Sequence, residues 1–154
     1  MTPRSRRTPH AAAGRAGLPL ADYRLLAEFR RLIARFLAFS EAAAREAGLS
    51  PRQHQALLAI KGHPRGAGVT VGDLAERLAV RHHSAVGLAD RLAAGGYLAR
   101  RADPEDGRRM LLSLTARGER TLAGLSAIHR EELRRISALL KPVLAELGRP
   151  HSRS

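Results

Sequence analysis

Seven residues, Asp103-Pro104-Glu105-Asp106-Gly107-Arg108-Arg109, place three acids, two arginines, a proline and a glycine directly ahead of the apolar run Met110-Leu111-Leu112-Ser113-Leu114. A tight turn of this composition carries a guanidinium at its tip, a planar and permanently charged fork that matches phosphate oxygens and guanine edges. Asp106, two residues before Arg108, is placed to hold that guanidinium in position. On spacing alone a solvated turn with a local ion pair explains the stretch better, because Asp-Gly is common hairpin chemistry. A second cluster, Arg81-His82-His83-Ser84, raises the question of catalysis or metal binding. Neighbours on a helix diverge by about 100°, so His83 is badly placed to activate Ser84, and the two histidines are badly placed to chelate one metal. His129 and Glu132 do share a helical face, and His54 lies on another helix that could approach them. Three ligand-type residues without a defined site are more often solvated or core-edge groups, so no metal and no other cofactor is assigned. Catalysis is not expected.

The surroundings of these residues narrow the choice. The 154 residues are 44% hydrophobic, enough for one compact domain with a core and too few for two. Against 14 acids stand 27 basic residues, nearly all arginine, for a formal charge of +13. A polyanionic partner fits that surplus. A GC-rich coding sequence would explain arginine over lysine, but not the excess over acids. Cysteine is absent, which removes disulfides, thiolate metal sites and cysteine-based redox sensing. The N-terminal stretch MTPRSRRTPHAAAGRAG has four arginines, two prolines and no acid, and reads as a disordered basic tail over residues 1–19. It lacks the apolar centre of a secretory signal, and no apolar run approaches the ~20 residues needed to cross a bilayer. The expectation is a cytoplasmic protein with no membrane partner.

Helices must position the rest. From Leu20 to Ala47 the apolar residues Leu25, Leu26, Phe29, Leu32, Ile33, Phe36 and Leu37 recur at three- and four-residue steps, and Gly48 ends the pattern. Ser50, Pro51 and Gln53 form a strong helix start. After the break Lys61–Gly68, Thr70 can cap a short helix carrying Leu74, Ala75 and Leu78. A further helix runs through Val86, Leu88 and Leu92 to Gly95-Gly96. Two short helices joined by a tight turn make a helix-turn-helix candidate. Tyr97–Arg101 and Arg109–Leu114 then flank the opening turn as the two strands of a hairpin. Helical periodicity returns after the cap residue Thr115 and continues through Leu122, Leu125, Ile128, Leu133, Ile136 and Leu140, with Pro142 expected to start or kink a last helix through Leu147.

The stretch from Val69 to Glu119 resembles the winged helix-turn-helix of the MarR family of bacterial transcriptional regulators. Asp106-Gly107-Arg108 is similar to the family's Asp-X-Arg wing, and Leu114-Thr115 followed by Gly118 to its Leu-Thr-X-X-Gly entry into a long fifth helix. Leu74-Ala75, Leu78, Asp90-Arg91-Leu92 and Gly96 support the likeness, which in helix order and length covers roughly Leu20 to Leu147. The fold class implied is mainly α with a small β-hairpin wing, that is, a winged helix-turn-helix plus N- and C-terminal dimerisation helices. Residues 20–148 form the single domain, with 50–114 as the winged helix-turn-helix, 20–47 and 115–148 as dimerisation helices, and 149–154 as a tail.

In that setting the turn at 103–109 acquires a role. Arg108 on a wing can enter the minor groove, where negative potential attracts a guanidinium. The resemblance places Arg81, His82, His83, Ser84 and Arg91 on the major-groove helix, with Asp106, Arg108 and Arg109 on the wing. Arg91 suits a phosphate contact or an internal ion pair. The family often has Ser or Pro, then Ser-Thr, where this chain has His82-His83-Ser84, and often Arg where it has Gly87, so the base-reading code is unusual. Leu25, Leu32, Phe36, Leu133, Ile136, Leu140, Leu144 and Leu147 are implied as the shared core of a homodimer, although the same residues could close one subunit's core. A small-molecule effector is implied between the lobes, near Phe29, Phe36, His54 and His129. The implied function is a dimeric repressor on an inverted repeat of double-stranded DNA. A nonspecific basic DNA- or RNA-binding module and an interaction scaffold are the alternatives.

Overall fold

Ser50 and Thr70 start two of the helices by the same device. In a computed structural model describing residues 17–66 and 68–149, each hydroxyl accepts from the backbone N–H three residues on, at 3.2 Å, while the side chain there accepts the cap's own N–H. Gln53 closes the first of these reciprocal boxes and Asp73 the second. They open α2 (Pro51–Lys61) and α3 (Val71–Leu78). Before them α1 (Leu20–Glu46) ends as its apolar pattern predicts, with Gly48 at φ 78°, a left-handed conformation that glycine adopts without strain. Residues 1–16 and 150–154, most of both expected tails, lie outside the described residues.

Ala79, at φ 52°, turns α3 into α4 (His82–Ala94), so the helix-turn-helix rests on a non-glycine residue in the left-handed region. The strands β2 (Leu98–Ala102) and β3 (Met110–Leu114) form the expected hairpin, each starting one residue later than the pattern suggests. A third strand, β1 (Val69–Thr70), pairs antiparallel with β3 and gives the sheet order β1-β3-β2. Finally α5 runs unbroken from Ala116 to Leu147. Pro142 therefore neither starts a helix nor ends one. It and Ala138, whose carbonyl it leaves without a helical donor, are both exposed, so water can satisfy that group.

The main core lies between α2, α3, α4 and the sheet, where Leu57, Leu74, Leu92, Leu112 and Val69 are fully buried. Each such leucine contributes roughly 2 kcal/mol of apolar burial, so the helix-turn-helix and the wing share one well-packed platform. Ala43 near the end of α1 and Leu49 just after it, with Leu122 and Leu125 of α5, tie the long helices into it. Away from the platform α1 and α5 lie against each other, burying Leu32, Ile136 and Val143. Their outer surfaces leave Leu20, Tyr23, Leu26, Leu133, Leu139 and Leu144 exposed. Among the described residues no helix is long and apolar enough to cross a membrane.

Candidate nucleic-acid interface

Packing fixes which side of α4 faces outward. Ala85, Leu88, Ala89 and Leu92 are buried against the platform, which leaves His82, His83, Ser84 and Arg91 exposed. Arg81 is the N-cap residue but makes no capping hydrogen bond with its side chain, so it too stays exposed. The first turn of α4 thus presents Arg81, His82, His83 and Ser84 together. Free backbone N–H groups at such a helix start favour anions.

The wing turn is built by its own acids. Asp103 donates its backbone N–H to the Arg109 carbonyl at 2.8 Å, and Arg109 donates to the Asp106 carbonyl at 2.9 Å. The Asp103 carboxylate accepts from the Glu105 N–H at 2.9 Å, and the Asp106 carboxylate accepts from the Arg108 N–H at 3.1 Å. Here the structure corrects the sequence expectation: Asp106 shapes the backbone and does not hold the Arg108 guanidinium. An aspartate two residues before an N–H closes a local turn more readily than it reaches a long, solvated side chain. Among the described residues Arg108 and Arg109 form no ion pair, and both are exposed.

Wing and helix start converge. Thr70, Val71, Gly72, His82, Arg108, Arg109 and Met110 line one open cleft of about 390 Å³. The cleft therefore joins the start of α3, the start of α4 and the base of the wing. An ion pair of 2.6 Å between Asp90 on α4 and Arg100 on β2 further ties the helix to the wing. Asp90 is engaged by Arg100, and among the described residues Arg91 forms no ion pair.

Underneath, a junction locks the wing to α5. Thr115 caps α5, accepting from the Gly118 N–H at 3.1 Å and donating its hydroxyl to the Gly96 carbonyl at 2.6 Å. Arg117 donates to the Gly95 carbonyl at 2.8 Å and lies 4.4 Å over the Tyr97 ring. Gly118 is forced by contact: a Cβ there would overlap the Tyr97 carbonyl oxygen and sit 3.1 Å from its carbon. The Leu-Thr-X-X-Gly resemblance marked this glycine, and the structure supplies its reason.

The residues expected near an effector divide. Phe36, His54 and His129 come together with Phe39, at ring separations of 6.0 Å for Phe36–His129, 5.6 Å for Phe39–His129 and 4.7 Å for His54–His129. Phe29 stands two turns earlier on α1 and is not part of this cluster. Both nitrogens of His129 are committed, Nδ1 to the Leu125 carbonyl at 2.6 Å and Nε2 to the Ser40 hydroxyl at 2.8 Å. A carbonyl can only accept, so Nδ1 carries the proton and, in the neutral ring, Nε2 accepts from Ser40. Glu132 turns to Arg135 at 3.8 Å. Among the described residues no group of three or more His, Cys, Asp or Glu side chains could hold a metal ion.

Burial first, and then the charge of His129, pushes the His54 imidazole below its ordinary pKa of 6.5. The unfolded chain takes up this proton at a higher pH than the folded one, so the stability from neutral His54 is full well above 6.5 and is lost as pH falls through that value. The melting temperature is expected to drop between about pH 7.5 and about pH 5.5, and His54→Gln to flatten that slope. A thermal melt series in the two proteins checks this; equal slopes would remove His54 from the account.

The sequence profile of the MarR family matches residues 47–109. The uncharacterized HTH-type transcriptional regulator YcgE of Bacillus subtilis (strain 168) is 33% identical over 84 residues. That segment is 54% of this chain and 53% of YcgE, so the chain spans about half the length of this curated relative. Two solved structures share the fold. A MepR variant from S. aureus, bound to an oligodeoxyribonucleotide, superposes with a TM-score of 0.65 at 21% identity, covering 81% of this chain and 97% of its own. CouR from Rhodococcus jostii RHA1, bound to p-coumaroyl-CoA, gives a TM-score of 0.60 at 22% identity, covering 81% and 92%. Residues 47–109 thus match the MarR family's sequence profile, and the described residues share the winged helix-turn-helix fold of these solved structures.

Proposed function

We propose that this protein is a dimeric, sequence-specific DNA-binding transcriptional regulator of the cytoplasm, acting as a repressor on an inverted-repeat operator and released by a small organic effector. One observation carries the reading: the exposed first turn of α4 and the unpaired Arg108 and Arg109 of the wing border one cleft on a chain of net charge +13. A helix start for the major groove and an arginine for the adjacent minor groove, held on one rigid platform, suit two neighbouring grooves of a duplex.

Dimerisation is supported by the apolar residues left exposed on α1 and α5. Leu133 and Leu144 of the expected set are exposed, and Leu25, Phe36, Leu140 and Leu147 are half-buried. Leu32 and Ile136 are already enclosed within one subunit, while Tyr23, Leu26 and Leu139 extend the exposed stripe. A twofold dimer would set two α4 helices about one duplex turn apart, ~10 base pairs or a multiple. The effector reading rests on the likeness to CouR. A groove of about 420 Å³ between α1 and α5, lined by Ala43, Ala47, Arg120, Gly124, Leu125 and Ile128, adjoins the His129 cluster through Leu125. An effector there must bind the spacing of the two α4 helices that does not fit DNA more tightly than the spacing that does.

Selection from a random duplex library at fixed salt tests the reading. One enriched inverted repeat is the expected result. Equal weak binding to all duplexes would replace it by a nonspecific basic module, and absence of binding with or without candidate organic acids would leave an interaction scaffold.

A further inference from the structure

The outward face of α4 has an unusual centre. At about 100° per residue, His83, Gly87, Asp90, Arg91 and Ala94 fall on one side of the helix, opposite the buried Ala85, Leu88, Ala89 and Leu92. Gly87 lies near the middle of that side and has no side chain to offer. It is nevertheless half-buried, whereas its neighbours His83, Ser84 and Asp90 are exposed. The cover comes from Arg91. A Cβ placed on Gly87 would lie 3.5 Å from Arg91 Nη1, so the guanidinium folds back one turn over the bare backbone. Helical side chains lean toward the N-terminus and onto the residue four positions earlier, which makes this a natural rotamer. Its neighbour Asp90 is engaged by Arg100 at 2.6 Å, and among the described residues Arg91 has no ion pair.

From this placement we infer that Arg91 is the specificity-determining residue at the centre of the α4 face, and that Gly87 is the gap that seats it. A Cβ at 87 would only touch the guanidinium at ordinary van der Waals distance, but a branched side chain would take up the space in which it lies across the reading face; among the described residues its donors are free. The target that fits is guanine, whose O6 and N7 accept a bidentate arginine in the major groove. This inference rests on the reading that α4 enters that groove.

The test is duplex selection with the full-length protein and Arg91→Ala, Arg91→Lys and Gly87→Val. Wild type should enrich an inverted repeat with a guanine at one symmetric pair of positions. Arg91→Ala should enrich the same repeat but lose about tenfold or more of the preference at that pair, and Arg91→Lys, a point charge without the fork, should lose it too. Gly87→Val fills the seat with a short branched side chain, replaces the poorer helix former, and should match Arg91→Ala. If Arg91→Ala weakens binding equally for every sequence while Arg91→Lys restores it, Arg91 is a phosphate contact and the inference is wrong. An undiminished preference in Gly87→Val would overturn the role of the gap. Failure of the wild type to enrich any sequence would overturn the regulator reading itself, and this inference with it.

Discussion

Gly118→Ala is expected to destabilise the fold by about 3 kcal/mol, against the usual sign for this exchange in a helix. In an open helix interior alanine is better than glycine by about 1 kcal/mol. At position 118 the added methyl meets a backbone carbonyl, that of Tyr97, and the Leu114 Cβ at 3.4 Å. The same carbonyl accepts the Thr115 N–H at 3.0 Å, so moving it away breaks the hinge between β3 and α5. Neither side can yield cheaply, because Tyr97 and Leu98 are buried in the platform. Gly124, on the same helix, has nothing within 4 Å of its would-be Cβ. Gly124→Ala should therefore stabilise the protein by about 1 kcal/mol. Urea unfolding of both variants measures the contrast directly. Equal stabilisation by both alanines would mean that α5 does not approach the Tyr97 carbonyl as closely as described.

The second large effect is on binding. Arg108→Ala should weaken the complex with operator DNA by about 1–3 kcal/mol per subunit. Its unfolding free energy should stay within about 0.5 kcal/mol, since the side chain is exposed and holds no ion pair among the described residues. The two acids of the turn separate its shape from its charge. Asp106→Asn keeps an oxygen that can accept the Arg108 N–H, now 3.1 Å from Asp106 Oδ1, and should bind DNA almost as wild type does. Asp106→Ala loses that acceptor and should bind less tightly because the tip is no longer held. If Asp106→Asn were as defective as Asp106→Ala, the carboxylate charge would matter after all, as a partner for the guanidinium. Unchanged affinity in Arg108→Ala would remove the wing from the interface. Fluorescence anisotropy titrations at one salt concentration decide among these outcomes.

What could be read in the sequence divides along physical lines. Helices announce themselves locally, through spacing and caps: Ser50 with Gln53, Thr70 and Thr115 all begin helices where the pattern places them. The hairpin is similarly legible, since Asp-Gly and the flanking apolar runs are contiguous. Strand β1 is not, because two residues cannot show alternation, and Val69 becomes a strand only by pairing with Leu112 across the chain. Pro142 is legible only in part: it does not start a helix, because its exposed position inside α5 removes most of the cost of a proline there. The candidate site shows the same division. Arg81, His82, His83, Ser84 and the wing arginines are found by their place in the motif. The Asp90–Arg100 tie, the Arg91 cover over Gly87 and the overlap that makes Gly118 obligatory depend on geometry between or along elements, and residue identity alone does not disclose them.

The proposed twofold assembly would read two grooves at each half-site. Hydroxyl-radical footprinting of the protein on its selected duplex tests this most directly. The predicted pattern is two equivalent protected regions related by a dyad, about one helical turn or a multiple apart. Each should include minor-groove protection that disappears in Arg108→Ala. A single unsymmetrical region, or protection spread evenly along any duplex, would contradict it.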